Sequence, residues 1–130
     1  MKVGIEIPVA IGDLIDKITI LQIKSMRITQ SDQLKNIQYE LSILLTKKLQ
    51  LPITAGLHEL QEKLQVVNEK LWQIEDELRY YEAKKQFGEG FVQLARSVYI
   101  TNDLRCQIKK KINILFGSEI IEEKSYQQYR

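Results

Sequence analysis

The chain of 130 residues has few of the residue types that most often build a catalytic or metal site. It contains one cysteine, Cys106, and one histidine, His58. One cysteine cannot form an internal disulfide, and one histidine excludes a cluster of histidine ligands or a relay with more than one histidine. The sequence also lacks a phosphate-binding glycine loop, a Ser-His-Asp set and the Cys/His spacing of zinc sites. We therefore expect no metal site and no resident cofactor.

Long apolar runs and strong charge of one sign are absent too. No apolar run approaches the roughly 18 residues of a transmembrane helix, and the first residues lack the apolar core and cleavage site of a signal peptide. The net charge is +2, too small to indicate nucleic acid or a membrane, and the lysine run 109–111 has no interleaved aromatic residues. Together with the lone cysteine, these features predict a cytoplasmic protein without a membrane or nucleic-acid partner.

The spacing of apolar residues predicts a single all-α domain over residues 1–130, in the form of a helical bundle. Val3, Ile5 and Ile7 alternate with other residues, which indicates a short extended segment ended by Pro8. Four segments then show helical periodicity: residues 12–28, 32–49, 57–86 and 91–116. We expect two antiparallel hairpins, a shorter one over 12–50 and a longer one over 57–116, followed by a tail over 118–130.

The third segment gives the clearest pattern, because its apolar residues are spaced alternately by three and four, as in the seam of a coiled coil. These residues are Leu57, Leu60, Leu64, Val67, Leu71, Ile74, Leu78 and Tyr81. The segment is mainly acidic and the fourth is mainly basic, which favours their pairing. Gly88 or Gly90 is predicted to end the third helix, and Gly117 the fourth, in the left-handed conformation. For the tail, a short docked helix and a coil across the bundle fit equally.

Arg105 is the most informative residue, because it lies in the apolar stripe of the fourth helix together with Thr101 and Asn102. A buried guanidinium without partners costs several kcal/mol. Two interpretations follow if the helical register is right. Arg105 pairs with Glu75 or Glu82 on the third helix, or it binds an anion in a pocket between helices.

Two further groups are candidates for binding. On the first helix, Lys17, Lys24 and Arg27 follow Asp13 along one stripe, which is typical either of a phosphate or carboxylate site or of a solvated face with an Asp13–Lys17 pair. On the third helix, Trp72 gathers Asn68, Glu75 and Arg79 on one side, as a binding wall or as a cover for the seam.

Two functional hypotheses result. In the first, the chain is a non-enzymatic interaction or self-assembly module whose long hairpin pairs with itself or with a protein partner. In the second, a basic pocket between helices binds a small anionic metabolite, conceivably for a reaction driven by electrostatics. The candidate ligand-binding residues are Lys17, Lys24, Arg27, Trp72, Glu75, Arg79, Asn102 and Arg105. The sequence designates no catalytic residue.

Four stretches carry a resemblance to a known family: "GDLIDKITILQIKSMRI" at 12–28, "LWQIEDELRYYE" at 71–82, "FVQLARSVYITNDLRCQIKKKIN" at 91–113 and "GSEIIEEKSYQQY" at 117–129. In these stretches the chain resembles a family of short bacterial proteins of unknown function. The resemblance implies a cytoplasmic, helical protein from a bacterium. It implies no activity, substrate or catalytic residue.

Overall fold

The computed structural model describes residues 3–129, and they form a bundle of four helices without a strand. The helices are α1 (Ile11–Arg27), α2 (Ser31–Lys48), α3 (Leu57–Ala83) and α4 (Glu89–Phe116). The all-α prediction is confirmed, and the helix ends lie within three residues of the predicted ones.

Helices α3 and α4 form the long antiparallel hairpin, and α1 packs against both of them. Helix α2 packs along the other side of α1. It reaches α3 through Lys48 near its end, where Nζ donates to Oε1 of Gln61 over 2.8 Å. The bundle is thus a three-helix core of α1, α3 and α4 with α2 on the outside.

The core lies where α1, α3 and α4 meet. Ile15, Leu64 and Ile112 are fully buried in it, one from each helix. All eight residues of the predicted seam in α3 are buried or half-buried. The seam is therefore used inside the bundle, where burial of apolar surface stabilises the fold.

The first turn of α1 receives its caps from the far end of the chain. Ala10 precedes the helix and has no side chain that could accept a hydrogen bond. Instead, the amide of Ile11 donates to Oγ of Ser118 over 3.2 Å, and the amide of Gly12 donates to Oδ1 of Asn113 over 2.6 Å. Unpaired amides at a helix N-terminus need such acceptors. The end of α4 therefore fixes where α1 begins.

We expect Asn113→Ala to lower the free energy of unfolding by about 1–2 kcal/mol, because the buried amide of Gly12 loses its acceptor. Urea unfolding followed by circular dichroism measures this loss. Ser42→Ala is a control, since it removes an exposed hydrogen bond to the carbonyl of Tyr39 and should change stability by less than about 0.5 kcal/mol. Equal effects of the two substitutions would contradict this capping role.

Helices α3 and α4 are each followed by a residue in the left-handed conformation, but only after α4 is it the predicted glycine. Gly117 is left-handed with φ of 61°, as predicted, and the backbone amide of Ser118 donates to the carbonyl of Asn113 over 2.8 Å. After α3, however, the left-handed residue is Lys85, with φ of 54°, and not Gly88 or Gly90. The reason is that α3 ends three residues earlier than predicted, so that its reversal falls on a lysine.

Both terminal segments run outside the helices. Residues 3–9 are exposed and form neither helix nor strand. Residues 118–129, called the tail below, contain no helix, and among the two alternatives for this segment the structure therefore shows the coil. Among residues 3–129, no helix is both long and apolar enough to cross a bilayer.

Candidate functional site

A polar cluster lies at the centre of the bundle, where α1, α3 and α4 meet. Asp16 on α1 is only 4% exposed. Arg105 on α4 donates from Nε to its Oδ1 over 2.9 Å and from Nη2 to its Oδ2. Asn68 on α3 donates from Nδ2 to the same Oδ1 over 2.9 Å and to Oγ1 of Thr19 over 2.8 Å. A carboxylate held by a bidentate guanidinium and an amide is a well-satisfied buried charge.

The partner of Arg105 is thus Asp16, and not Glu75 or Glu82, the two carboxylates expected under the pairing interpretation. Glu75 pairs with Arg79 and Glu82 with Lys85, in both cases on the exposed face of α3 or just beyond its end. The stripe of α4 that contains Arg105 faces α1, which explains why an acid of α1 meets it. The hydrogen bond to Asp16 raises the pKa of the Arg105 guanidinium above its usual value, so the guanidinium stays protonated.

Thr101 and Asn102, which share the stripe with Arg105, have different surroundings. Thr101 is buried, and its Oγ1 has no hydrogen-bond partner among residues 3–129. Asn102 is half-buried and lies on the side of α4 that faces the tail. The polar residues of the stripe thus divide between the interior of the bundle and its surface.

The tail folds back along α4 and leaves a cleft of about 690 Å³ between them, called the tail cleft below. Tyr129 holds the far end of the tail, because its hydroxyl donates to the carboxylate of Asp103 and its ring meets that of Tyr99 edge to face, with centroids 4.9 Å apart. Twelve residues line the cleft: Ala95, Val98, Tyr99, Asn102, Asp103, Arg105, Cys106, Lys109, Lys124, Tyr126, Gln127 and Tyr129.

Three cations line this cleft, while most of the carboxylates that balance them lie outside its lining. Asp16 accepts hydrogen bonds from Nε and Nη2 of Arg105, which leaves Nη1 without a hydrogen bond to any residue from 3 to 129. Lys109 lies 2.8 Å from Asp13 and 3.9 Å from Glu122, measured from Nζ to the carboxylate oxygens. Such a wall can receive an anion that competes with the carboxylates of the protein itself.

Glu122 is the carboxylate best placed to compete with such an anion. The ammonium of Lys124 lies 3.0 Å from its Oε1. This hydrogen bond, helped by the charge of Lys109, lowers the pKa of Glu122, and Glu122 in turn raises the pKa of Lys124. Glu122 is therefore ionised at neutral pH and lies between two of the three cations of the cleft.

Of the eight candidate residues, the structure brings two, Asn102 and Arg105, to the tail cleft. The others lie elsewhere and have other neighbours. Lys17 pairs with Glu40 of α2 at 2.7 Å, and not with Asp13. Lys24 is half-buried on α1.

Trp72 and the remaining candidates are also apart from the cleft. The guanidinium of Arg27 lies 5.7 Å from the centre of the Trp72 ring, a cation–π contact between α1 and α3. Arg79 and Glu75 form an exposed pair within α3. The candidate residues of a basic pocket, Lys17, Lys24, Arg27, Arg79, Asn102 and Arg105, thus do not share one cavity.

Sequence reasoning missed Asp16, and it did not place Tyr99, Tyr126 and Tyr129 beside Arg105. The one sequence signal for Asp16 is its helical spacing with Gly12, Thr19 and Ile23, and the structure shows all four residues buried. Lys124, Tyr126 and Tyr129 had none, since the tail has no periodicity that could place it. Among residues 3–129, no three or more His, Cys, Asp or Glu side chains form a group that could hold a metal ion.

These features define an all-α protein with a buried Asp16–Arg105 ion pair at its centre and a basic, tyrosine-lined cleft between α4 and its own C-terminal tail. The chain belongs to the family of unknown function DUF6165, whose sequence profile matches residues 1–129. The resemblance to a family of unknown function is thereby confirmed. Comparison with curated proteins and with solved structures gave no match for this chain.

Proposed function

We propose that the protein binds a small organic anion with a flat apolar portion in the tail cleft. One observation carries the proposal: Arg105, Lys109 and Lys124 line the same cleft as three tyrosines. The cations suit a phosphate or carboxylate, and the rings suit a flat body that stacks on them. The volume of about 690 Å³ lies in the range of small-molecule sites.

The buried pair supports this proposal, because it fixes Arg105 before any ligand arrives. A side chain held by two hydrogen bonds loses little conformational entropy when it binds a third group. Lys109 is similarly restrained by Asp13. The binding surface of α4 is thus organised in advance, while the tail forms the opposite wall.

Cys106 offers a direct test, since it is the only cysteine and lines the cleft. We expect phenyl phosphate at millimolar concentration to slow alkylation of Cys106 by N-ethylmaleimide in a saturable manner. Inorganic phosphate and phenol should each slow it less, because each supplies one half of the required chemistry. An alkylation rate that none of the three changes would overturn the proposal.

Glu122→Gln should tighten binding of phenyl phosphate roughly three- to tenfold, because it removes the carboxylate that competes for Lys109 and Lys124. The measurement is the concentration that halves the rate of Cys106 alkylation. Glu123→Gln is a matched control, since Glu123 contacts Lys110 at 3.5 Å, and Lys110 does not line the cleft. Equal shifts in both variants would show that only the net charge of the chain matters.

The interaction hypothesis for the long hairpin stays a prediction. The seam of α3 is covered by α1 and α4, so an interaction through the hairpin would use its distal end. Tyr80, Phe87 and Val92 are exposed there. We also propose a bacterial cytoplasm as the location of the protein, on the basis of the lone cysteine and the family resemblance.

A further inference from the structure

Residues 3–9 form an apolar segment that the bundle does not cover. Val3, Ile5 and Ile7 are 83%, 86% and 69% exposed. In an extended chain, alternate residues point to the same side, so these three would form one apolar face. β-Branched residues in such a pattern are typical of a strand with one buried side.

The backbone of this segment is unpaired as well. No amide or carbonyl of residues 3–9 forms a hydrogen bond with residues 3–129. Within the described part of the chain, the one ion pair of the segment joins Glu6 to Lys47 of α2, at 3.7 Å. An unpaired, apolar, extended segment is a template for a second strand. Residues 3–129 contain no strand that could pair with this segment, so any partner strand would come from another chain.

We propose that residues 3–7 of two copies of this chain pair as antiparallel strands and form a symmetric dimer. Centred on Ile5, the pairing sets Val3 opposite Ile7 and Gly4 opposite Glu6, so that each strand completes the other. A register centred on Glu6 would set two like charges opposite each other. Pro8 follows the paired residues and, having no amide hydrogen, ends the ladder.

The apolar face of the two paired strands, called the ribbon below, also has an exposed apolar surface to pack against. A two-stranded ribbon alone is marginally stable in water. Leu49, Ile53 and Ile114 are exposed at the end of the bundle where α1 begins and where α2 and α4 finish. The contact of Glu6 with Lys47 brings the segment beside that end. The dimer would thus bury the ribbon against the ends of both bundles, and it does not depend on the tail cleft.

Charge replacement at Ile5 tests both the pairing and its register in the untagged full chain. We expect the parent to sediment as a dimer at high micromolar concentration. Ile5→Lys and Ile5→Glu should each weaken the dimer about a hundredfold or more, because each sets like charges opposite each other and removes two buried isoleucines. An equimolar mixture of the two variants should recover a heterodimer, since lysine then faces glutamate.

Val9→Lys is the control, because Val9 lies beyond Pro8 and outside the paired residues, and it should leave the dimer intact. Circular dichroism verifies that each variant is folded, as expected for substitutions in a segment without core contacts. A parent that is monomeric at millimolar concentration would overturn the proposal, and so would a dimer that persists in both Ile5→Lys and Ile5→Glu. Variants that are monomeric alone and remain so when mixed would refute the register centred on Ile5.

Discussion

Arg105→Met is expected to lower the free energy of unfolding by about 3 kcal/mol, because it leaves the carboxylate of Asp16 buried without its cation. This is the lower end of the range for buried pairs, since the Arg105 side chain is 29% exposed while that of Asp16 is 6% exposed. Among residues 3–129, only Asn68 would still donate to the carboxylate. Urea unfolding at neutral pH measures the loss, with Met keeping much of the side-chain length.

The matched control is Arg79→Met, which breaks the exposed pair with Glu75 on one helix. We expect a change of less than about 0.5 kcal/mol there, because exposed pairs contribute little. A loss in Arg105→Met no larger than in this control would show that Asp16 does not depend on the guanidinium.

A double substitution separates the contribution of the ion pair to stability from that of the rest of the Arg105 side chain. In Asp16→Asn with Arg105→Met, no buried charge is left, so the protein should be more stable than with Arg105→Met alone by about 1–2 kcal/mol. Additive losses would mean that the two residues act independently. The coupling therefore tests the hydrogen-bonded geometry itself, and not merely the presence of a large side chain at position 105.

The prediction made for Arg105 from the sequence shows what periodicity can and cannot give. The helical phase correctly indicated that Arg105 faces inward, and of its two interpretations the structure shows the internal pair with a carboxylate. It could not indicate which neighbouring helix that face meets, because this depends on how three helices pack. The partner, Asp16, lies 89 residues away on α1. A sequence pattern on one helix contains no information on that contact.

The tail cleft could not be predicted for a different reason. Its α4 side was recognisable, since Asn102 and Arg105 were singled out by their position in the stripe. The other side depends on a coil whose place is set by single contacts, such as that of Tyr129 with Asp103 and Tyr99. Lysines on α1 were candidates as well, yet Lys17 is satisfied by Glu40 of α2, a contact that follows from the packing of those two helices.

Gly12→Ala is expected to lower the free energy of unfolding by about 2–3 kcal/mol, although helix propensity alone predicts a gain of roughly 0.5–1 kcal/mol. A Cβ at this position would lie 2.4 Å from the carbonyl oxygen of Lys109 and 2.9 Å from Oδ1 of Asn113. The first is a backbone atom within α4, so the clash is relieved only if α1 and α4 move apart. That movement also stretches the hydrogen bond from Gly12 to Asn113.

Gly88→Ala is the matched control, because nothing lies within 4 Å of a Cβ placed there, and it should cost less than about 1 kcal/mol. The close approach at Gly12 also bears on the tail, since Ser118 at its start accepts from the amide of Ile11. If α1 moves away from α4, this anchor weakens, and Cys106 in the folded variant should be alkylated faster than in the parent. A Gly12→Ala protein that is more stable than the parent, with an unchanged alkylation rate, would show that α1 and α4 are not in contact at this point. The capping of α1 by Asn113 and Ser118 would then be wrong as well.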